Sequence, residues 1–388
     1  MESLSEGIVE DILIRLPEDS LMCCKCVSKQ WLNLISKPHF VKLHLKKSKA
    51  KEQCKLIIVS PPDPCFSLKY IEKYTAWVED YEFYGPINLD EDKVVRTLGS
   101  CDGLLLLFTS DREMFLWNPT TQQVKKVPGG SIRRTGYHRE LSGIDYYCCG
   151  YFPLYGFGYD ESTDDYKVVS HGNKTNKKMN NLKSEVYVYT LRKDSWRVVK
   201  TKFPCLSYGS EKPGVLVDGI LHWTVCPHER SCYSTSIVSF DLRSEEFRGI
   251  SPPKFETGMK ACEVGILGGH LCTLQYYDNS YVDVWAMKDY GIVESWTKLF
   301  RFKDHRDRGI SRLKLLQILR NGDILLVRNS TDLVMYDSQR QRQKSVNNMD
   351  FFFYGDVETY VKSLVSLEAE NGLKRKANRS KKISSKKR

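Results

Sequence analysis

The chain has 388 residues and a formal net charge of +11, with 41% hydrophobic and 12% aromatic residues. That length suits two or three domains, and the aromatic content excludes a disordered polymer. The opening MESLSEGIVEDILIRL carries acids where a secretory leader carries bases, and the longest apolar run, LLLLF, is far short of the roughly 20 residues that span a bilayer, so neither a leader nor a membrane segment is expected.

Residues 1–47 read as a helical unit. Ile8, Val9, Ile12, Leu13 and Leu16 recur at spacings of three and four, which predicts an amphipathic helix. Pro17 lacks a backbone N–H and suits the break before a second helix. Ser28 is placed to cap a third helix, in which Trp31, Leu34 and Ile35 share a stripe with Val27. PHFVKLHL, beginning at Pro38, predicts a short fourth helix. Three of the 13 cysteines fall here, at Cys23, Cys24 and Cys26; an odd number scattered along a long chain reads as small buried side chains in a reducing compartment.

From about residue 54 the period changes. Short β-rich runs (KLIIVS, LLLLF, YKVVS, EVYVYTL, GILHW, IVSF, VDVWA, DILLV, LVMY) alternate with turn signals, among them Asp102-Gly103, Asp218-Gly219, Gly268-Gly269 and Asn321-Gly322. One strand recurs with an aromatic: Tyr70, Trp117, Tyr189, Phe240, Trp285 and Tyr336, at intervals of 47, 72, 51, 45 and 51 residues. A polar turn and another strand follow most of them, as in NPTTQQVKKV, DLRSEEFRGI and DSQRQRQKSV. A period of 45 to 50 residues with about four strands each predicts a β-propeller, with insertions in the long interval; an irregular β-sandwich predicts no such recurrence. FFFYGDVETYVKSLVSL, residues 351–367, is expected to pack back on the propeller.

The tail KRKANRSKKISSKKR holds nine Lys or Arg, and removing those nine from +11 leaves about +2 for the body. A body that grips nucleic acid is therefore not expected. The tail, residues 368–388, reads as disordered, and Lys374, Arg375, Lys376, Lys381, Lys382, Lys386, Lys387 and Arg388 form a candidate nuclear-import signal. Location in the nucleus, the cytoplasm or both is the resulting expectation.

GIVEDILIRLP followed by SLMCCKCVSKQWLNLISKPHF resembles an F-box. NPTT, YGFGYDESTDDYKVV, VLVDGILHW and IVSFDL resemble the kelch-like F-box-associated region of plant F-box proteins, a wider family that includes S-locus F-box relatives. The resemblance implies a small all-α F-box over 1–47, then an all-β, propeller-like domain of five to six blades over 54–367. It further implies a substrate-recognition subunit of a Skp–cullin–F-box E3 ubiquitin ligase. In that family the helices bind a Skp-family adaptor, and through it a cullin, while the propeller binds a target protein. By position in the motif, Ile8, Ile12, Leu16, Pro17, Leu21, Val27, Ser28 and Trp31 are the adaptor interface or its immediate support. Two places depart from the family: Leu4-Ser5 stands for its opening Leu-Pro pair, and Cys23 and Cys24 stand for a basic residue and Phe. The alternative is a ligase-independent interaction scaffold with a vestigial F-box.

Nothing in the sequence asks for a cofactor, a metal or a catalytic residue. His222, Cys226, His228 and Cys232 lie close together, but their spacing matches no familiar zinc site. Gly156 and Gly158 lack the spacing of a dinucleotide loop and read as close strand packing. No nucleophile elbow, H-E-x-x-H helix or P-loop is present. The Tyr-rich segments GIDYYCCGYFPLYG and LQYYDNSYVD are candidates for target contact, set against ordinary half-buried strand positions.

Overall fold

The computed structural model describes residues 5–50, 55–60, 65–72, 76–77, 81–84, 95–129, 154–176, 181–201, 208–209, 213–226, 235–278, 280–303, 309–345 and 356–368. Four helices open the chain: α1 (Glu6–Leu13), α2 (Glu18–Cys24), α3 (Lys29–Ile35) and α4 (Pro38–Ala50). Pro17 occupies the position before α2 in an extended conformation, and Glu18 and Asp19 fill the first turn, where carboxylates favour the positive end of the helix. The Ser28 hydroxyl accepts the Trp31 N–H at 3.1 Å and caps α3. Val27 does not join the α3 stripe as expected. It sits in the turn before the cap and is 65% exposed.

The fourth helix runs past the expected PHFVKLHL because its later turns are anchored. His44 Nε2 donates to the Leu16 carbonyl at 2.9 Å, and the Ser48 hydroxyl donates to the buried Glu18 carboxylate at 2.5 Å. Leu13, Leu21, Leu34, Ile35 and Phe40 form the core of the unit.

Among the described residues, twenty-six strands follow in six antiparallel sheets. β1 (Lys55–Ser60), β2 (Cys65–Glu72), β3 (Ala76–Trp77) and β4 (Tyr81–Tyr84) belong to the first. β5 (Val95–Cys101), β6 (Leu104–Thr109), β7 (Met114–Asn118) and β8 (Gln123–Val127) make the second. β9 (Leu154–Asp160), β10 (Asp165–Asn176), β11 (Asn181–Thr190) and β12 (Ser195–Val199) make the third. The fourth has β13 (Tyr208–Gly209) and β14 (Val215–Val217), both paired with β15 (Ile220–Cys226), then β16 (Ser236–Asp241) and β17 (Phe247–Ile250). The fifth has β18 (Met259–Leu267), β19 (His270–Tyr277), β20 (Tyr281–Met287) and β21 (Trp296–Lys303). The sixth has β22 (Leu313–Ile318), β23 (Ile324–Arg328), β24 (Asp332–Asp337) and β25 (Arg342–Ser345). The last strand, β26 (Asp356–Tyr360), returns to the first sheet and pairs with β1, Lys55 opposite Tyr360 and Val59 opposite Asp356.

Each sheet is a blade. The six aromatics singled out in the sequence all lie on the third strand of their blade, counting outward from the axis. Inner strands meet in turn, β26 with β5, β5 with β9, β9 with β14, β14 with β18, β18 with β22, and β22 with β26, so the ring closes. The segment 351–367 thus does more than pack back on the propeller, because part of it supplies the inner strand of the first blade. Asp102-Gly103, Asp218-Gly219, Gly268-Gly269 and Asn321-Gly322 link first to second strands. The first three carry positive φ at both residues, as tight hairpins of this hand require. After third strands, Asn118, Asp241 and Asp337 accept backbone N–H groups two residues on, at 2.7 to 3.0 Å, and close polar turns; Asp160 does the same after the first strand β9, at 2.9 Å.

Blades are joined by repeated devices. Trp196 and Trp296, each near the start of a fourth strand, donate to Pro128 O and Ser251 O, the carbonyls just past the fourth strand of the preceding blade, at 2.7 and 3.0 Å. Between the third and fourth blades, a Cβ on Gly156 would lie 2.6 Å from Leu221 and 2.8 Å from Trp223, and one on Gly158 2.6 Å from Leu216. These glycines let the two sheets touch, as expected. Across the same seam the buried Lys167 ammonium meets Asp160 and Glu245 at 2.8 Å each. Burial alone would raise Asp160, but Lys167 and the Thr163 and Ser162 hydroxyls outweigh it and hold the carboxyl at about 2.

Two predictions follow from these seams. Gly156→Val is expected to cost about 2 to 3 kcal/mol through overpacking against Leu221 and Trp223, read as a lowered Tm. His171 and His222 are both buried, and burial depresses each to about 4. Unfolding lets them rise toward 6.5 and take up protons, so stability is complete above pH 6.5 and falls as pH drops toward 4, by about 2 kcal/mol per histidine at pH 5. A Tm series from pH 7 to 4.5 checks this, and His222→Gln is expected to flatten it.

Candidate functional site

The helical unit leaves apolar surface uncovered. Ile8 and Ile12, one turn apart on α1, are 49% and 50% exposed, while Leu13 beside them is buried. Val27, Leu32 on α3 and Leu43 on α4 are exposed as well. Burying an isoleucine or leucine gains about 1.5 to 3 kcal/mol, so such residues on more than one helix carry unused binding energy.

The eight residues read from the sequence divide by depth. Ile8, Ile12, Val27, Pro17 and Ser28 are exposed. Leu16 and Trp31 are half-buried against the helical core, and Leu21 is wholly inside it. Leu32 and Leu43 were not among the eight. Leu32 lies off the Trp31, Leu34 and Ile35 stripe, and Leu43 lies off the Phe40 and His44 stripe; a helical wheel drawn on those buried positions would have found both. Of the residues at the family's departures, Cys23 is exposed and Cys24 is half-buried against the core.

The charged groups around this face are local. Lys37 meets Glu6 at 2.6 Å, which ties the start of α1 to the α3–α4 turn, lowers the Glu6 carboxyl and raises the Lys37 ammonium. Burial lowers the Lys25 ammonium. Docking to the propeller uses other residues. Val41 and Leu45 of α4 join the core of the second and third blades, and Lys42 and Lys49 pair with Asp164 and Asp102 at 2.7 and 2.5 Å.

The topology also separates the two ends of the propeller. First-to-second and third-to-fourth turns lie at the end that carries the helices. The described strand ends from which the chain passes from second to third strand and from blade to blade lie at the other.

Other candidates resolve into structure. His222 is fully buried, with Nδ1 at 3.2 Å from Val215 O and Nε2 at 2.7 Å from the Tyr290 hydroxyl, so both ring nitrogens are engaged. The side chains of Cys226, His228 and Cys232 lie outside the described residues. Tyr276 and Tyr277 are buried in the fifth blade; the Tyr276 hydroxyl accepts the Leu313 N–H at 3.0 Å and joins two blades. Tyr155 is buried too, and the rest of its Tyr-rich segment before residue 154 lies outside the described residues, as do the eight basic residues of the tail. No helix among the described residues is long and apolar enough to cross a membrane.

Comparison with known proteins places this architecture. A family model for the F-box domain matches residues 1–43, and one for the F-box associated beta propeller domain matches residues 73–374. The F-box protein CPR1 of Arabidopsis thaliana is 28% identical over 385 residues, covering 94% of this chain and 89% of that protein. An F-box/kelch-repeat protein of the same plant is 29% identical, covering 92% and 94%. Among solved structures, an α-L-arabinofuranosidase from Fusarium graminearum aligns at 12% identity with a TM-score of 0.41, over 65% of this chain and 79% of that one. An F-box at the start and a matching propeller over most of the remainder make the chain a member of the F-box-associated β-propeller family of F-box proteins.

Proposed function

We propose that the protein is the substrate-recognition subunit of a Skp–cullin–F-box E3 ubiquitin ligase. The observation that carries this reading is the exposed apolar face of the helical unit, whose own core and whose seat on the propeller are both formed by other residues. Ile8, Ile12 and Val27 make first contact with the Skp-family adaptor, flanked by Pro17 and Ser28. Leu16 and Trp31 support them from the half-buried layer, and Leu21 holds the helices beneath.

A target protein binds at the end of the propeller away from the helices. The strand ends that adjoin successive blades gather there, and connections between strands carry recognition more freely than strands. The role is positional. Holding adaptor and target on one frame raises the effective concentration of a target lysine near the charged conjugating enzyme, without a catalytic side chain in this chain.

Co-purification with a plant Skp-family adaptor tests the reading. Ile8→Asp with Ile12→Asp is expected to weaken capture roughly 100-fold, about 3 kcal/mol, with an unchanged circular dichroism spectrum and Tm. Leu21→Ala is expected to lower both capture and Tm. Wild-type chain that captures none of several adaptors would sink the ligase reading in favour of a scaffold. The basic tail is proposed to direct nuclear import: removing residues 374–388 from a fluorescent fusion is expected to deplete the nuclear signal, and an unchanged signal would dismiss that role.

A further inference from the structure

The chain does not stop at the strand that closes the ring. Residues 361–368 run on from β26 without regular secondary structure, at the end of the propeller that carries the helices. Their contacts go two ways. Leu364, 3% exposed, inserts among Leu13, Leu21, Leu34, Ile35 and Phe40 and, among the described residues, is the one buried member of the helical core that comes from outside the helical unit. Val365 and Leu367 turn into the second blade's core with Leu104, Leu116 and Leu45 of α4.

The segment is held from below by turns of the second blade. The fully buried Asn118 donates from Nδ2 to Val365 O at 2.8 Å and to Ser363 O at 3.1 Å, while its Oδ1 accepts the Thr120 N–H at 2.9 Å. The Thr120 hydroxyl accepts the Ser363 N–H at 3.2 Å and shares a 2.6 Å hydrogen bond with the Tyr360 hydroxyl. Gln123 Oε1 accepts the Leu367 N–H at 2.9 Å. The fit leaves no room at Gly103, where a Cβ would lie 2.4 Å from Val361 O and 2.5 Å from Ser363 Oγ.

We propose that residues 361–368 are a latch that seats the F-box on the propeller, and that Asn118 is the positioning residue that holds the latch shut. Other ties cross the joint. Lys42 and Lys49 of α4 reach Asp164 and Asp102, and each lysine is well exposed, so solvent screens them. α4 also bridges the joint through Phe40 in the helical core and Leu45 in the blade core. The latch puts buried side chains into the same two cores from the other side of the ring closure, and its Lys362 reaches Asp19. Its register is set by the β26–β1 pairing immediately before it, so the latch closes only on a closed ring. The latch is independent of the ligase reading, but its use, keeping adaptor and target at a fixed separation, rests on that reading.

The test is hydrogen–deuterium exchange on the full chain, with small-angle scattering alongside. Asn118→Asp keeps the acceptor to Thr120 but removes both donors and sets a carboxylate against two carbonyls. It is expected to speed exchange at least 10-fold in residues 361–368 and in α1 to α4, and to raise the radius of gyration, with β18 to β25 unchanged. Leu364→Ala leaves the Asn118 bonds in place and is expected to give the same pattern within α1 to α4. Unchanged exchange in the helices, or equal acceleration across every blade, would overturn the latch for either variant. Adaptor capture measured on the same samples separates the two ideas: wild-type chain with a protected latch and no capture removes the ligase reading and leaves the latch standing.

Discussion

A propeller is a ring of sheets, and a ring needs a seam. Here the seam is the hydrogen-bonded ladder between β1 and β26, which joins the start of the β region to its end within one sheet. The inner strand of every other blade is contiguous with its neighbours in sequence, so those blades form from local hairpins. The first blade forms only when Leu56 and Ile57 of β1 meet Val357 and Tyr360 of β26, all of them buried. Because a second strand starts and an inner strand ends at the same edge of a sheet, the chain enters and leaves the ring at one end. The placement of the F-box, the entry of α4 and the course of residues 361–368 all follow from that geometry.

The same constraint explains how the helical unit divides its apolar residues. Four short helices enclose little volume, and their core takes Leu364 from the far end of the chain to be complete. What remains outside, at Ile8, Ile12, Val27, Leu32 and Leu43, has no place in either the helical core or the joint. Two surfaces of one small unit are therefore assigned to different purposes by burial alone, one facing the propeller and one facing outward.

Much of this was readable from residue order, and the reasons differ from element to element. The third-strand aromatics announced the blades because each falls on the third strand of its sheet, and their spacing varied because insertions fall between strands rather than within them. The Asp-Gly and Gly-Gly hairpins were visible because positive φ restricts the residue types that can occupy them. The partner of β26 was not visible, since DVETY carries only a weak alternation and its pairing spans the whole β region. Nor was the depth of Tyr276, Tyr277 and His222, whose polar atoms find partners on residues distant in sequence, Leu313, Glu256 and Tyr290. Val27 was placed with Trp31 by spacing, but the Ser28 cap ends that register one residue too late for it to share the stripe. Leu364 lay in an unremarkable run, SLVSL, and only the fold shows which of its leucines enters the F-box.

The seam has a consequence for synthesis. A ribosome delivers β1 well before β26, so until β26 emerges the nascent first blade presents an unpaired β1 edge, and the F-box core lacks Leu364. Open strand edges and unfilled apolar cores are what chaperones and quality-control proteases recognise. A chain cut short before Asp356 by a premature stop or a frameshift would lose ring closure and the latch together. Ring closure and the seating of Leu364 thus await the same stretch of chain.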